Sequence, residues 1–167
     1  MICIFILCGC KQKREDFFEL SVDNYSITVG YDSADYLKTI FDIDLKEEFE
    51  GYETIKDVDI NLFNKQFAVG DFSNFNKKPK SSKDIVLSKL TIYLNDLEGR
   101  TFKLNGEQLD TSIKNNCSKY GGTYIEKNGY ACVIESNVDD KLNVVEMYGD
   151  YLNIDQDQLD HITIYVD

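Results

Sequence analysis

The chain of 167 residues has no tryptophan, a single histidine and a single proline. With one imidazole, at His161, any Ser-His-Asp or Cys-His constellation would have to be built there and nowhere else. One proline and ten glycines exclude collagen-like and linker-like chains. Basic residues are the minority, 18 against 30 acidic, which leaves a net charge of −12 and a pI near 4.5. Duplex binding driven by counterion release calls for the opposite sign, so no nucleic-acid partner is expected. Nor is there an apolar run approaching the roughly 20 residues of a membrane-spanning helix. What is present can fold: 43% of residues are hydrophobic and 29% charged, enough apolar surface for a real core and too much for disorder. The length fits one ordinary domain or two very small ones.

The first ten residues, Met1 to Cys10, are uncharged and almost wholly apolar, and they stop at the charged run Lys11-Gln12-Lys13-Arg14-Glu15-Asp16. An apolar stretch ending in a small residue is the pattern of a secretory signal. Leu7-Cys8-Gly9-Cys10 resembles the lipobox of bacterial lipoproteins, with leucine at −3, glycine at −1 and the cysteine that is acylated. That resemblance implies removal of residues 1–9, a diacylglyceryl thioether on Cys10 and a tether over residues 10–25. It also implies a partner, the membrane itself, reached through the lipid on Cys10. For a leader of this kind, with a short apolar stretch and no basic lead-in, the true start is expected upstream. Lysine outnumbers arginine sixteen to two, which points to an AT-rich genome and, with the lipobox, to the outer face of a Gram-positive cell membrane. The alternative for the same residues is an N-terminal strand of a cytosolic protein.

Removing Cys3 and Cys8 with the leader and acylating Cys10 leaves Cys117 and Cys132. An even pair in an exported domain is a disulfide candidate. Two buried thiols packing as small hydrophobes are the other possibility. A metal site is not expected, because His161 is the only further soft ligand.

Ser26-Ile27-Thr28-Val29 alternates as a short strand, Asp32-Ser33 supplies a helix cap, and Leu37, Ile40 and Phe41 share one helical stripe. Strand patterns follow at Val58–Leu62, Gln66–Gly70 and Leu90–Leu94. The order then repeats: a strand at Phe102–Leu104, a helical face of Leu109, Ile113, Cys117 and Tyr120, and strands at Thr123–Glu126, Tyr130–Glu135, Leu142–Tyr148 and Ile162–Val166. Asn128-Gly129 is a strong hairpin signal between two of them. Leu90-Thr91-Ile92-Tyr93-Leu94 and Ile162-Thr163-Ile164-Tyr165-Val166 share one pattern 72 residues apart. The expected class is therefore α+β, in two tandem units over 26–97 and 98–167, each a short helix packed on an antiparallel β-meander. In its order of elements the chain resembles the tandem β-lactamase-inhibitor-protein fold. The resemblance implies a module that acts by binding a protein, with no catalysis, and a cysteine bridge from helix to sheet through Cys117 and Cys132.

The chemistry-bearing motifs are missing: there is no HExxH, GxSxG, CxxC or phosphate-cradling glycine loop. No catalytic residue, metal ligand or cofactor is expected. His161 reads as an exposed or edge residue. Asp155, Asp157 and Asp160 are spaced like calcium ligands, but the glycine and glutamate of an EF-hand loop are replaced by Asp160 and Val166. The acidic stretch Asp42, Asp44, Glu47, Glu48 and Glu50 reads as a solvated face. Two features are candidates for partner contact. One is the long loop Ser73–Asp84, a basic island of Lys77, Lys78, Lys80 and Lys83 around Pro79. The other is the pair Tyr93 and Tyr165, opposite the apolar residues of matching strands, which would either form a contact surface or pack under a helix. The expected function is a membrane-anchored extracytoplasmic module that binds a protein or envelope ligand. The alternative is an extracytoplasmic carboxylate-based enzyme or calcium-dependent module.

Overall fold

The computed structural model describes residues 17–62, 65–94, 99–126, 129–138, 141–150 and 156–167. Cys10, the leader, Asn128 and Asp155 lie outside the described residues. In the first half the elements are β1 (Glu19–Val22), β2 (Tyr25–Thr28), α1 (Ala34–Leu37), β3 (Asp42–Ile43), β4 (Glu48–Phe49), β5 (Thr54–Leu62), β6 (Lys65–Ser73), β7 (Lys80–Ser81) and β8 (Val86–Tyr93). The second half has β9 (Phe102–Leu104), β10 (Glu107–Gln108), α2 (Ile113–Tyr120), β11 (Thr123–Ile125), β12 (Ala131–Val138), β13 (Lys141–Gly149) and β14 (Leu159–Val166).

The class expected from the sequence is corrected: strands make up 54% of the chain and helix 12%, so this is a mostly β protein and not α+β with a helix per unit. The stripe Leu37, Ile40, Phe41 yields only a single helical turn. Ser33 caps it by accepting from Tyr36 N at 3.2 Å, but the turn ends at Lys38, ahead of Thr39-Ile40-Phe41. β-Branched and aromatic side chains lose rotamer freedom against a preceding helical turn, so that run favours leaving the helix. α2 is longer because Ile113 and Cys117 are buried one turn apart, and Gly121 closes it in the left-handed region at φ 68°. There Gly122 N donates back to Cys117 O at 2.9 Å. A residue with a β-carbon would be strained at that φ.

The dominant element is an antiparallel sheet of eight strands in the order β11-β12-β13-β14-β8-β6-β5-β3. From its centre outward, each half steps back along the chain: β8-β6-β5-β3 on one side, with β7 and β4 paired apart in a two-stranded sheet, and β14-β13-β12-β11 on the other. The two halves meet at β8 and β14, where Ile92 pairs with Ile162, Thr91 with Thr163 and Leu90 with Ile164. Thr91 and Thr163 are the residues 72 apart in the chain, and their hydroxyls lie 3.0 Å from each other. The strand order and this register are symmetric about that threonine pair.

One face of the sheet is covered. Leu90, Ile92, Ile162 and Ile164 belong to a single buried cluster with Leu20, Val22, Ile27 and Leu104 of a second sheet ordered β10-β9-β1-β2. Residues 19–22, expected as part of a tether, are instead strand β1, with Leu20 and Val22 almost fully buried. Ala34 and Leu37 of α1 and Ile113 and Cys117 of α2 enter the same cluster. Cys117 is joined to Cys132 of β12 by a disulfide, with the Cα atoms 5.5 Å apart. The bridge ties α2 to the covered face.

Candidate functional site

The other face of the large sheet is built by the residues that alternate with the core. β8 buries Leu90 and Ile92 and turns Lys89, Thr91 and Tyr93 outward. β14 does the same with His161, Thr163 and Tyr165, and β13 with Val144, Glu146 and Tyr148. The registers align these side chains in three rows across the middle of the sheet. Tyr148, His161 and Tyr93 form the first. Glu146, Thr163, Thr91 and Val69 form the second, and Val144, Tyr165, Lys89 and Asp71 the third. Both helices and the smaller sheet send their buried side chains into the opposite face, so Tyr93 remains 47% exposed.

The first row is an aromatic stack. The His161 ring lies 4.9 Å from Tyr148 and 5.5 Å from Tyr93, with Nδ1 3.0 Å from Asp160 Oδ2. It is 7% exposed and belongs to a central strand, which corrects its reading as an exposed or edge residue. A carboxylate of the second row links the first and third. Glu146 accepts from Tyr148 Oη–H at 2.8 Å on one oxygen and from Tyr165 Oη–H at 3.2 Å on the other. Burial, and then the negative charge of Glu146, hold the Tyr165 hydroxyl above its ordinary range, with Asp167 and Glu135 adding to the effect. Beside this pair is a cavity of about 520 Å³ lined by Asp71, Ser88, Lys89, Glu146, Tyr148, Thr163, Tyr165 and Val166. A second depression, of about 470 Å³, lies next to Tyr93 and is lined by Phe67, Val69, Lys65 and Gln66 among others.

Tyr93 and Tyr165 are therefore brought together on one face with no described helix above it. The basic island is elsewhere. Lys77, Lys78 and Lys83 are exposed, Lys80 is half-buried 3.5 Å from Asp84, and none of the four lines either cavity. Asn74, only 1% exposed, organises the loop by donating to Glu50 O and Lys78 O at 2.8 and 2.9 Å. Gly51 packs so closely on Lys77 that a β-carbon would run into its carbonyl oxygen. Because β7 pairs with β4, the basic loop lies alongside the exposed acidic residues Glu47, Glu48 and Glu50. Opposite charges side by side lower the potential that a partner would feel from the lysines.

Of the aspartates spaced like calcium ligands, the two described ones, Asp157 and Asp160, have separate tasks. Asp157 accepts from Ser112 Oγ–H at 2.5 Å and Lys114 N–H at 3.1 Å, at the start of α2. It also receives Tyr124 Oη–H at 3.4 Å, and burial followed by Asp157 pushes that hydroxyl up to about 12. Asp160 pairs with His161. Lys89, Asp71, Glu146 and Tyr148 were missed in the sequence, although Glu146 and Tyr148 carry the same signal as Tyr93, alternating with buried Val145 and Met147. No protein-family model, curated protein or solved structure matches this chain.

Proposed function

We propose that this protein is a membrane-anchored extracytoplasmic binding module that takes a protein ligand on the uncovered face of its eight-stranded sheet. The observation that carries the reading is the set of rows on that face: three tyrosines and a histidine on rigid central strands, flanked by a cavity. Tyrosines supply large contact area at small entropy cost, and placement on strands keeps their positions defined. The anchor rests on the lipobox at Cys10. A multiply acylated cysteine holds a protein at the membrane, where a single chain binds only marginally.

Replacing Cys10 by serine is expected to move the protein from the membrane fraction to the soluble one, read by fractionation and immunoblot. A variant that stays membrane-bound would overturn the anchor. The binding face is tested in the native envelope by placing a photo-crosslinking phenylalanine analogue at Tyr93, with Tyr52, 70% exposed in the turn after β4, as control. A discrete adduct from position 93 and none from position 52 is the expected result. Equal labelling from both would refute a dedicated face. Asp71 and Glu146 in one cavity also favour a second reading, a carboxylate-based enzyme. Against it, both Glu146 oxygens already accept phenolic protons, an arrangement suited to a fixed anion more than to proton transfer.

A further inference from the structure

The cavity beside Glu146 has an unusual balance of hydrogen-bonding groups. Its hydroxyl protons are largely spent inside the protein. Tyr148 and Tyr165 both donate to Glu146, and Ser88 Oγ–H donates to Asp71 O at 3.1 Å. Thr163 shares its contact with Thr91. Ser88 Oγ also lies 2.7 Å from Ser73 Oγ, and Asp71 accepts from Asp57 N at 2.9 Å on one oxygen. The polar groups left in the lining are therefore mainly acceptors, the two carboxylates and the phenol oxygens, with Lys89 as the one charged donor. A carboxylate offers about four lone-pair sites, so Glu146 retains capacity after accepting two phenols. The tyrosine rings add faces of negative electrostatic potential.

This acceptor-rich lining selects among ligand chemistries. A phosphate or carboxylate needs donors and would meet two like charges. A saccharide needs donors and acceptors in comparable number. A guanidinium or ammonium group brings only donors, five or three N–H bonds respectively. The chain's net charge of −12 attracts such a group from a distance. We propose that the cavity lined by Asp71, Glu146, Tyr148 and Tyr165 receives an arginine or lysine side chain of a basic segment of the partner protein. The proposal rests on the binding-module reading and specifies which chemistry the uncovered face recognises. The cation sits against Glu146, where Tyr148 and Tyr165 have already oriented the carboxylate, so little reorganisation is needed on binding. Arginine fits better than lysine because its planar fork can engage the carboxylate in bidentate fashion while stacking on a ring.

The test uses the full chain carrying Cys10→Ser, titrated with a capped triarginine peptide and followed by calorimetry and by the tyrosine ring resonances in NMR. Capped triglutamate and chitotriose serve as comparison probes. Triarginine is expected to bind and to shift the signals of Tyr148 and Tyr165, whereas the other two leave them in place. Glu146→Gln keeps the acceptor carbonyl but replaces charge with N–H donors, and should weaken binding about tenfold, the loss of one charge-assisted hydrogen bond. Asp71→Asn should weaken it in the same direction, and Glu48→Gln, on the exposed strand β4, should leave it unchanged. An equal loss with Glu48→Gln would reduce the effect to net charge and overturn the site. Shifts at Tyr148 and Tyr165 with chitotriose in place of triarginine would overturn the cation in favour of a glycan. If triarginine fails while the crosslink from position 93 persists, the proposed cation chemistry is wrong and the binding-face reading stands.

Discussion

Replacing Cys117 and Cys132 together by alanine is expected to lower the stability of the protein by about 3 kcal/mol, the chain-entropy value for closing a loop of this length. The bridge spans 15 residues, from the inner face of α2 to the covered face of β12. Both cysteines are buried, at 2% and 0% exposure, so serine would add the cost of a hydroxyl in the core and alanine is the cleaner substitution. For a chain of this size the loss corresponds to a fall in Tm of roughly 6–12 °C. α2 is where it acts, because its other fully buried apolar anchor is Ile113. Thermal melts with and without reductant check the assignment. Reductant should bring the parent chain close to the variant and leave the variant itself unaffected. A parent chain indifferent to reductant and equal in Tm to the variant would mean that no bridge forms.

Asn143→Leu should act in the opposite direction, raising stability by about 2 kcal/mol. Asn143 is on the covered side of β13, paired in register with Ser136 and Val166, and is 1% exposed. Among the described residues, neither its Nδ2 nor its Oδ1 has a hydrogen-bond partner. A buried amide in that state has lost its water without replacement, and an apolar side chain of similar volume removes the penalty. Asn116 is the natural control. It is equally buried, but its Oδ1 accepts from Asp110 N at 2.9 Å and its Nδ2 donates to Asp110 O at 2.8 Å. The same replacement at Asn116 orphans both backbone groups and should destabilise. The two variants are compared by urea denaturation at constant m-value. Destabilisation by Asn143→Leu would show that the amide is satisfied in solution.

Much of the secondary structure was legible residue by residue. Period-two alternation marked β5, β8 and β14, and the spacing of Ile113, Cys117 and Tyr120 marked α2. Class was misjudged because a helical stripe of three residues was given the weight of a helix, when α1 is a single turn. β1 was missed because Glu19-Leu20-Ser21-Val22 is too short to stand out. It becomes a strand only because β2 and β9 flank it in the smaller sheet.

By itself the sequence determined the local terms. Charge sign, cysteine number, the alternation that puts Tyr93 and Tyr165 opposite the core, and the repeat linking Thr91 to Thr163 are all set by neighbours a few residues apart or by composition. Only the tertiary structure decided which strands meet and which face stays uncovered. Pairing β8 with β14 is what places Tyr93 beside His161 and Lys89 beside Tyr165. It is the β13–β14 register that brings Tyr165 of β14 within hydrogen-bond reach of Glu146 on β13. These contacts join residues far apart in the chain and depend on register, and alternation along one strand is identical for every register that shifts by two.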